Sequence, residues 1–169
     1  MKQFVLGGAR SGKSAYAQQL ASDSGKQVVY IATAFAGDDE MALRIAHHKQ
    51  QRPVEWRVVE EQIALADTLI AWANEQTCVL VDCLTLWLTN LLCHADVSVL
   101  QQQRELFLDS FSSLPGDVIL VSNEVGTGII PQGELNRRFV DEAGFLHQRL
   151  AQQCDRVFLT VAGLPLSLK

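Results

Sequence analysis

The sequence predicts an α/β protein, a single domain over residues 1–169 built on a mostly parallel sheet with helices on both faces. Two observations carry that expectation. The apolar run Phe4-Val5-Leu6 passes directly into the glycine-rich stretch Gly7-Gly8-Ala9-Arg10-Ser11-Gly12-Lys13-Ser14 and then into the helical stretch Ala15 to Ala21, a strand, a tight turn and a helix in succession. Further short apolar runs, rich in β-branched residues, are separated by segments long enough for helices. Continuous apolar runs of this kind belong to strands buried on both faces, and strands that alternate with helices form a parallel sheet. At 169 residues and 48% hydrophobic, the chain has room for one substantial core and not for two.

The later strands are expected at Val28-Val29-Tyr30-Ile31, Val79-Leu80-Val81, Val118-Ile119-Leu120-Val121 and Val157-Phe158-Leu159-Thr160-Val161. Helices are expected at Asp39 to Gln51, Gln62 to Glu75, Leu84 to Cys93, Val97 to Phe111 and Glu134 to Gln153. Asp38 or Asp39 is suited to cap the first of these, which carries Met41 and Ile45, and Pro53 stops it. Pro115-Gly116-Asp117 reads as the turn that delivers the chain into the strand at Val118. No repeat, low-complexity tract or linker interrupts the pattern.

Bulk properties narrow the functional classes. Fourteen basic against 19 acidic residues give a net charge of −5 with no basic stripe, which argues against nucleic acid as the main partner. No apolar stretch approaches the roughly 20 residues that cross a bilayer, and Met1-Lys2-Gln3 runs at once into the first strand, so a cytoplasmic protein without a membrane anchor is expected. Cys78, Cys83, Cys93 and Cys154 have neither C-x-x-C nor zinc-like spacing and read as small buried hydrophobes.

Gly7 to Ser14 fills every required position of the phosphate-loop pattern G-x-x-x-x-G-K-[ST]. Its glycines let backbone N–H groups turn inward around phosphate oxygens, Lys13 reaches the β and γ phosphates, Ser14 is a ligand for Mg²⁺, and the following helix adds its positive end. The expected ligand is therefore a nucleoside triphosphate with Mg²⁺, GTP or ATP acting as substrate, with no tightly bound organic cofactor. In open α/β sheets ligands gather beyond the carboxyl ends of the strands. The residues there are Gly7 to Ser14, Ala32-Thr33-Ala34, Asp82 and Ser122-Asn123-Glu124. Asp82, closing Val79-Leu80-Val81, is placed to hold the metal opposite Ser14; the other reading is a cap for the next helix.

His47 and His48 stand together among Arg44, Lys49 and Arg52. Neighbours on a helix point about 100° apart, so the pair is poorly arranged to chelate one metal. A single neutral imidazole attacking phosphorus is the functional alternative, and histidines on an ordinary amphipathic helix are the structural one.

These segments, taken with Tyr30-Ile31-Ala32-Thr33, Asp39-Glu40-Met41, Trp56-Arg57, Glu60, Asp82-Cys83-Leu84-Thr85, Thr89-Asn90-Leu91-Leu92 and Ser122-Asn123-Glu124-Val125-Gly126, resemble the bifunctional adenosylcobinamide kinase / adenosylcobinamide-phosphate guanylyltransferase family of cobalamin synthesis. The resemblance continues to Arg138-Phe139, Asp141 and Gly144 and spans nearly the whole chain. It implies a RecA-like fold, a homo-oligomer of the trimeric kind, and two reactions. A nucleoside triphosphate phosphorylates adenosylcobinamide; a histidine then takes GMP from GTP and passes it to adenosylcobinamide phosphate. By the same resemblance the nucleophile is His47, and the GTP contacts are Gly7, Gly8, Ala9, Arg10, Ser11, Gly12, Lys13, Ser14, Ala32, Thr33, Ala34, His48, Lys49, Gln50, Gln51, Glu60 and Asp82. Two positions depart from the family pattern: His147-Gln148 stands where Asn-Gln is expected, and Ile129-Ile130-Pro131 where a Gly-Val/Ile-Pro turn is expected.

Glu124 is a candidate base for the kinase step, or else a structural partner of Arg137 or Arg138. Trp56, Trp72 and Trp87 are flat surfaces that suit a macrocycle, but a Trp in a globular protein more often belongs to a core or an interface. Rival functions are a small-molecule kinase without guanylylation and a nucleotide-dependent binding module.

Overall fold

The structure, a computed structural model, describes residues 1–35 and 53–169. Its strands are β1 (Lys2–Gly7), β2 (Gln27–Ala32), β3 (Arg57–Glu60), β4 (Thr77–Asp82), β5 (Asp117–Asn123), β6 (Arg156–Val161) and β7 (Leu164–Ser167). They form one sheet in the order β3-β2-β4-β5-β1-β6-β7, parallel throughout except for the β6–β7 hairpin. The helices are α1 (Lys13–Asp23), α2 (Leu65–Trp72), α3 (Leu84–Leu92), α4 (Ser98–Phe111) and α5 (Glu134–Gln153). Each of the expected strands is present, and so are the expected helices from α2 onward. The expected helix Asp39 to Gln51 lies outside the described residues. No helix among the described residues is long and apolar enough to cross a membrane.

Successive side chains of a strand face opposite ways, and here both faces are apolar. Phe4, Leu6, Val29, Ile31, Val79, Val81, Val118 and Leu120 enter one core with Leu65, Leu69, Trp87, Phe107, Phe111 and Leu146 from α2 to α5. Val5, Tyr30, Leu80, Ile119 and Val121 enter the other, which α1 closes with Ala17 and Ala21 and to which Trp56 adds its ring. Small residues on α1 let that helix lie close to the sheet, which draws the phosphate loop down onto the strand ends.

Three differences from expectation have local causes. The helix expected over Gln62 to Glu75 is shorter because the Glu61 carboxylate accepts the N–H groups of Ile63 and Ala64 at 2.8 and 2.7 Å, holding that stretch as a turn ahead of α2. Strand β3 lacks an apolar run because it is an edge strand with exposed side chains. Strand β7 follows a two-residue turn, Ala162-Gly163, in which both residues take positive φ (51° and 81°), the geometry of a tight hairpin reached without the usual Asn-Gly pair. Of the cysteines, Cys78, Cys83 and Cys154 are buried as expected, but Cys93 is exposed, because it is the residue on which α3 ends.

Gly116 joins the entries of two central strands. It takes φ 71°, and a Cβ there would sit 2.0 Å from the Asn74 carbonyl oxygen and 2.9 Å from that of Thr77. That carbonyl belongs to the turn into β4, which Thr77 ties by donating Oγ1–H to the Trp72 carbonyl at 2.9 Å. Gly116→Ala is expected to lower unfolding stability by on the order of 2–4 kcal/mol through combined strain and overlap, measured by urea denaturation.

Candidate functional site

Parallel register collects the functional residues in one band. Gly7, the last residue of β1, lies between Asn123 of β5 and Thr160 of β6. Further along, Ala32 of β2 lies between Glu60 of β3 and Asp82 of β4. Every described site residue expected from the sequence therefore sits at or just beyond the carboxyl edge of the sheet. His47, His48, Lys49, Gln50 and Gln51 lie outside the described residues.

The phosphate loop is built by close packing. A Cβ on Gly7 would lie 2.3 Å from Ser11 Oγ and 2.7 Å from the Thr160 carbonyl oxygen, so no side chain fits there. Arg10 and Gly12 take positive φ (57° and 94°), which turns the loop back on itself, and the Ser11 N–H donates to the Gly8 carbonyl at 3.2 Å. The hairpin tip buttresses the loop: Gly163 N–H donates to the Ser11 carbonyl at 2.8 Å, and a Cβ on Gly12 would come within 3.0 Å of Gly163 Cα. Gly12 caps α1 with no side-chain hydrogen bond, leaving the first N–H groups of the helix available to an anion. Lys13 Nζ rests on the Gly8 carbonyl at 3.2 Å, within the loop it would leave to meet phosphate.

Beside the loop, Asp82 accepts a hydrogen bond from the Tyr30 hydroxyl at 3.0 Å. This carboxylate ends β4 and does not cap α3, whose capping residue is Cys83. Burial pushes the Cys83 thiol up to about 11, raised further by Asp82 and opposed by Lys13, so both charges act on one sulfur. Among the described residues no group of three or more His, Cys, Asp or Glu side chains could hold a metal by itself. The oxygen donors Asp82 and Ser14 nevertheless suit Mg²⁺, which commonly takes one or two protein ligands and completes its shell with phosphate and water.

Thr33 is fully buried, and its Oγ1 donates to the Cys83 carbonyl at 2.7 Å and accepts the Cys83 N–H at 3.0 Å. The Asn90 amide of α3 donates to the Thr33 and Gln62 carbonyls at 2.9 and 3.2 Å. Thr33 is thereby committed to joining the ends of β2 and β4. Of Ala32-Thr33-Ala34, only Ala34 has appreciable surface.

Glu124 folds its carboxylate onto the Gly126 N–H at 2.7 Å, while its own N–H donates to the Gly7 carbonyl at 3.1 Å. Among the described residues no ion pair joins it to Arg137 or Arg138; Arg137 instead donates to the Gln132 carbonyl. Trp87 is completely buried and Trp56 nearly so, and Trp72 packs its ring 4.0 Å from the Arg57 guanidinium carbon, so these rings serve the core and the edge strand.

Sequence reasoning passed over the Gly163 buttress, the Tyr30 hydroxyl and a polar cluster behind Asn123. In that cluster Ser122 Oγ meets His147 Nε2 at 2.8 Å and Thr85 Oγ1 at 3.4 Å, and Thr85 Oγ1 accepts the Asn123 N–H at 2.8 Å. Burial pushes the His147 imidazole down to about 4 from its ordinary 6.5, opposed by the Glu124 carboxylate.

Family comparison follows the same residues. The model for the family described as cobinamide kinase / cobinamide phosphate guanyltransferase matches residues 3–168. The chain is 58% identical over 169 residues to the bifunctional adenosylcobalamin biosynthesis protein CobP of Pseudomonas aeruginosa, covering 100% of this chain and 98% of that protein. It is 41% identical over 182 residues to the bifunctional adenosylcobalamin biosynthesis protein CobU of Escherichia coli, covering both fully. In fold it is similar to the crystal structure of the RadB recombinase, with a TM-score of 0.50 and 18% identity over 94% of this chain and 73% of that one.

Two outcomes are expected from this geometry. Gly7→Ala should weaken triphosphate binding at least about tenfold in calorimetry, because the Ser11 and Thr160 atoms that crowd the new Cβ shape the loop. The second concerns His147, whose unfolded form binds a proton at pH values where its folded form does not. Stability should therefore fall as pH drops through the ordinary histidine range, by about 2 kcal/mol between pH 7 and pH 5. Urea titrations at the two pH values should show that part of the loss absent in His147→Gln.

Proposed function

Because the chain belongs to the cobinamide kinase / cobinamide phosphate guanyltransferase family, we propose that it carries out both reactions at the band of strand ends around Gly7 and Asp82. The observation that supports a single nucleotide site is the convergence of the phosphate loop, Lys13 and Asp82 on the same edge of one sheet. Adenosylcobinamide and its phosphate are the acceptors, and GTP or ATP is the donor.

In the kinase step the acceptor hydroxyl attacks the γ phosphorus, the bond to the β-phosphate oxygen breaks, and a nucleoside diphosphate leaves. Phosphoryl transfer through a loose transition state asks mainly for alignment and charge stabilisation. The N–H groups of the loop and of the first turn of α1 hold the phosphates, and Lys13 moves from the Gly8 carbonyl to the β and γ oxygens. Glu124, the residue just past β5, takes the hydroxyl proton in this reading once its carboxylate releases the Gly126 N–H. Ser14 and Asp82 would hold Mg²⁺, which when bound offsets phosphate charge.

In the guanylyl step a neutral ring nitrogen of His47 attacks the α phosphorus of GTP, pyrophosphate leaves, and a phosphoramidate joins GMP to the imidazole. A phosphate oxygen of adenosylcobinamide phosphate then attacks the same phosphorus and restores the free histidine. Splitting the transfer lets pyrophosphate depart before a bulky acceptor docks. His48, Lys49, Gln50, Gln51, Arg10 and Glu60 complete the nucleotide contacts in this reading. The protein acts as a cytoplasmic homo-oligomer of the trimeric kind, and the exposed Ile129, Ile130, Leu164 and Leu166 are apolar surface that such an assembly would cover.

GTP labelled at the α phosphate is expected to tag the protein through an acid-labile, base-stable bond, while γ-labelled GTP does not. His47→Ala should abolish the tag; retention of the tag would assign the nucleophile elsewhere. Incubation with GTP and adenosylcobinamide, with mass analysis of the corrin product, separates this reading from a kinase that lacks the second transfer.

A further inference from the structure

The Ser-Asn-Glu segment at the end of β5 is held from behind by side chains that the two reactions do not use. We propose that His147 is a positioning residue for phosphoryl transfer, acting through Ser122 and Thr85 to fix Asn123 and Glu124 against Gly7 of the phosphate loop. The inference rests on the kinase reading of the same site.

The chain of hydrogen bonds has a direction. Its fixed point is the Asn123 N–H, which can only donate, and it donates to Thr85 Oγ1 at 2.8 Å. The Thr85 hydroxyl lies 3.4 Å from Ser122 Oγ, a contact in which either oxygen can donate. Ser122 Oγ in turn meets His147 Nε2 at 2.8 Å, and the tautomer of the ring sets which of the two donates. When Nε2 is the acceptor, with the ring proton on Nδ1, every hydroxyl proton of the chain meets an oxygen or a nitrogen. If Nε2 carried a proton, Ser122 would have to turn its hydroxyl toward Thr85, and Thr85 would be left with the Cys83 sulfur, a weak acceptor, for its own proton.

The surroundings favour the acceptor form. The ring stands edge to face with Phe4 of β1 at 5.4 Å, Thr85 of α3 and Ser122 of β5 present only hydroxyls, and Glu124 is the charged group that acts on it. Burial outweighs that carboxylate and pushes the ring down to about 4, toward its neutral form. Ser122 is 2% exposed, which excludes it as a nucleophile toward a large acceptor and leaves it a link. At the other end, the Glu124 N–H donates to the Gly7 carbonyl at 3.1 Å, and the space beside Gly7 where a Cβ would stand is filled by Ser11 Oγ and the Thr160 carbonyl. The position of the phosphate loop relative to the acceptor side of the site is therefore tied to the His147 ring.

Two measurements on His147→Leu, Ser122→Ala, the double variant and His147→Gln test this. Amide hydrogen exchange of Asn123 and Glu124 reads the chain without turnover. It should accelerate about tenfold in His147→Leu and in Ser122→Ala, the size of one lost buried hydrogen bond, and return toward wild type in His147→Gln, whose side-chain oxygen replaces Nε2 as acceptor. In cobinamide phosphorylation, kcat should fall by a similar factor in the first two variants with little change in the nucleotide KM, and the double variant should lose no more than either alone. Unchanged exchange at Asn123 in a folded His147→Leu protein overturns the proposal, as does a double variant in which the losses multiply or a Gln variant as impaired as Leu. A wild-type protein that forms no cobinamide phosphate, yet shows the exchange pattern, would overturn the kinase reading and leave the chain of hydrogen bonds standing.

Discussion

The site depends on one steric constraint, the absence of any room for a side chain at Gly7. Ser11 Oγ and the Thr160 carbonyl occupy the space that a Cβ would need. Because the loop closes this tightly, its carbonyls are available to neighbours on both sides: Gly163 N–H donates to Ser11 and Glu124 N–H donates to Gly7. The phosphate loop is thus held between the turn after β6 and the turn after β5. Its amides are already turned when an anion arrives, and such preorganisation is what charge stabilisation in phosphoryl transfer requires.

The same sheet edge divides labour between polar groups that bind and polar groups that hold. Thr33 sits among the expected nucleotide contacts, yet its hydroxyl exchanges two hydrogen bonds with the Cys83 backbone, and Asn90 fastens its carbonyl to α3. Tyr30 orients Asp82 from within the core that α1 covers. These contacts leave little rotational freedom to the groups that would meet substrate, and freedom removed in advance need not be lost on binding.

Much of this was legible in the sequence because the responsible signals are local. The phosphate loop follows from residue types at fixed spacing, and β1, β2, β4, β5 and β6 follow from apolar runs that a doubly covered sheet demands. Helix α5 was expected at Glu134 to Gln153 and has those bounds. What escaped notice depends on contacts across long separations. Strand β3 acquires its strand character from pairing with β2, not from its own composition, and the Ala162-Gly163 turn lacks the usual hairpin residues. His147 registers in the sequence only as a departure from a family pattern, since nothing within α5 announces a partner 25 residues away on β5. The choice of His47 within the histidine pair came from resemblance, and the segment that carries the pair lies outside the described residues.

An acidic chain that binds triphosphate must solve an electrostatic problem locally. With a net charge of −5 the long-range field repels a polyanion, so attraction has to come from groups within a few ångströms. The backbone supplies it at the start of α1, where Gly12 offers no side chain to occupy the first N–H groups, and Lys13 adds one mobile charge. Asp82 would work against this if it faced phosphate directly, and a divalent cation between them would reverse the sign of that interaction. Polar neutrality behind the loop serves the same end: a neutral His147 orders Asn123 without adding a charge that phosphate would draw out of place. Among the described residues, positive potential at this edge therefore comes from the backbone dipoles at the start of α1 and from the Lys13 and Arg10 side chains of the loop.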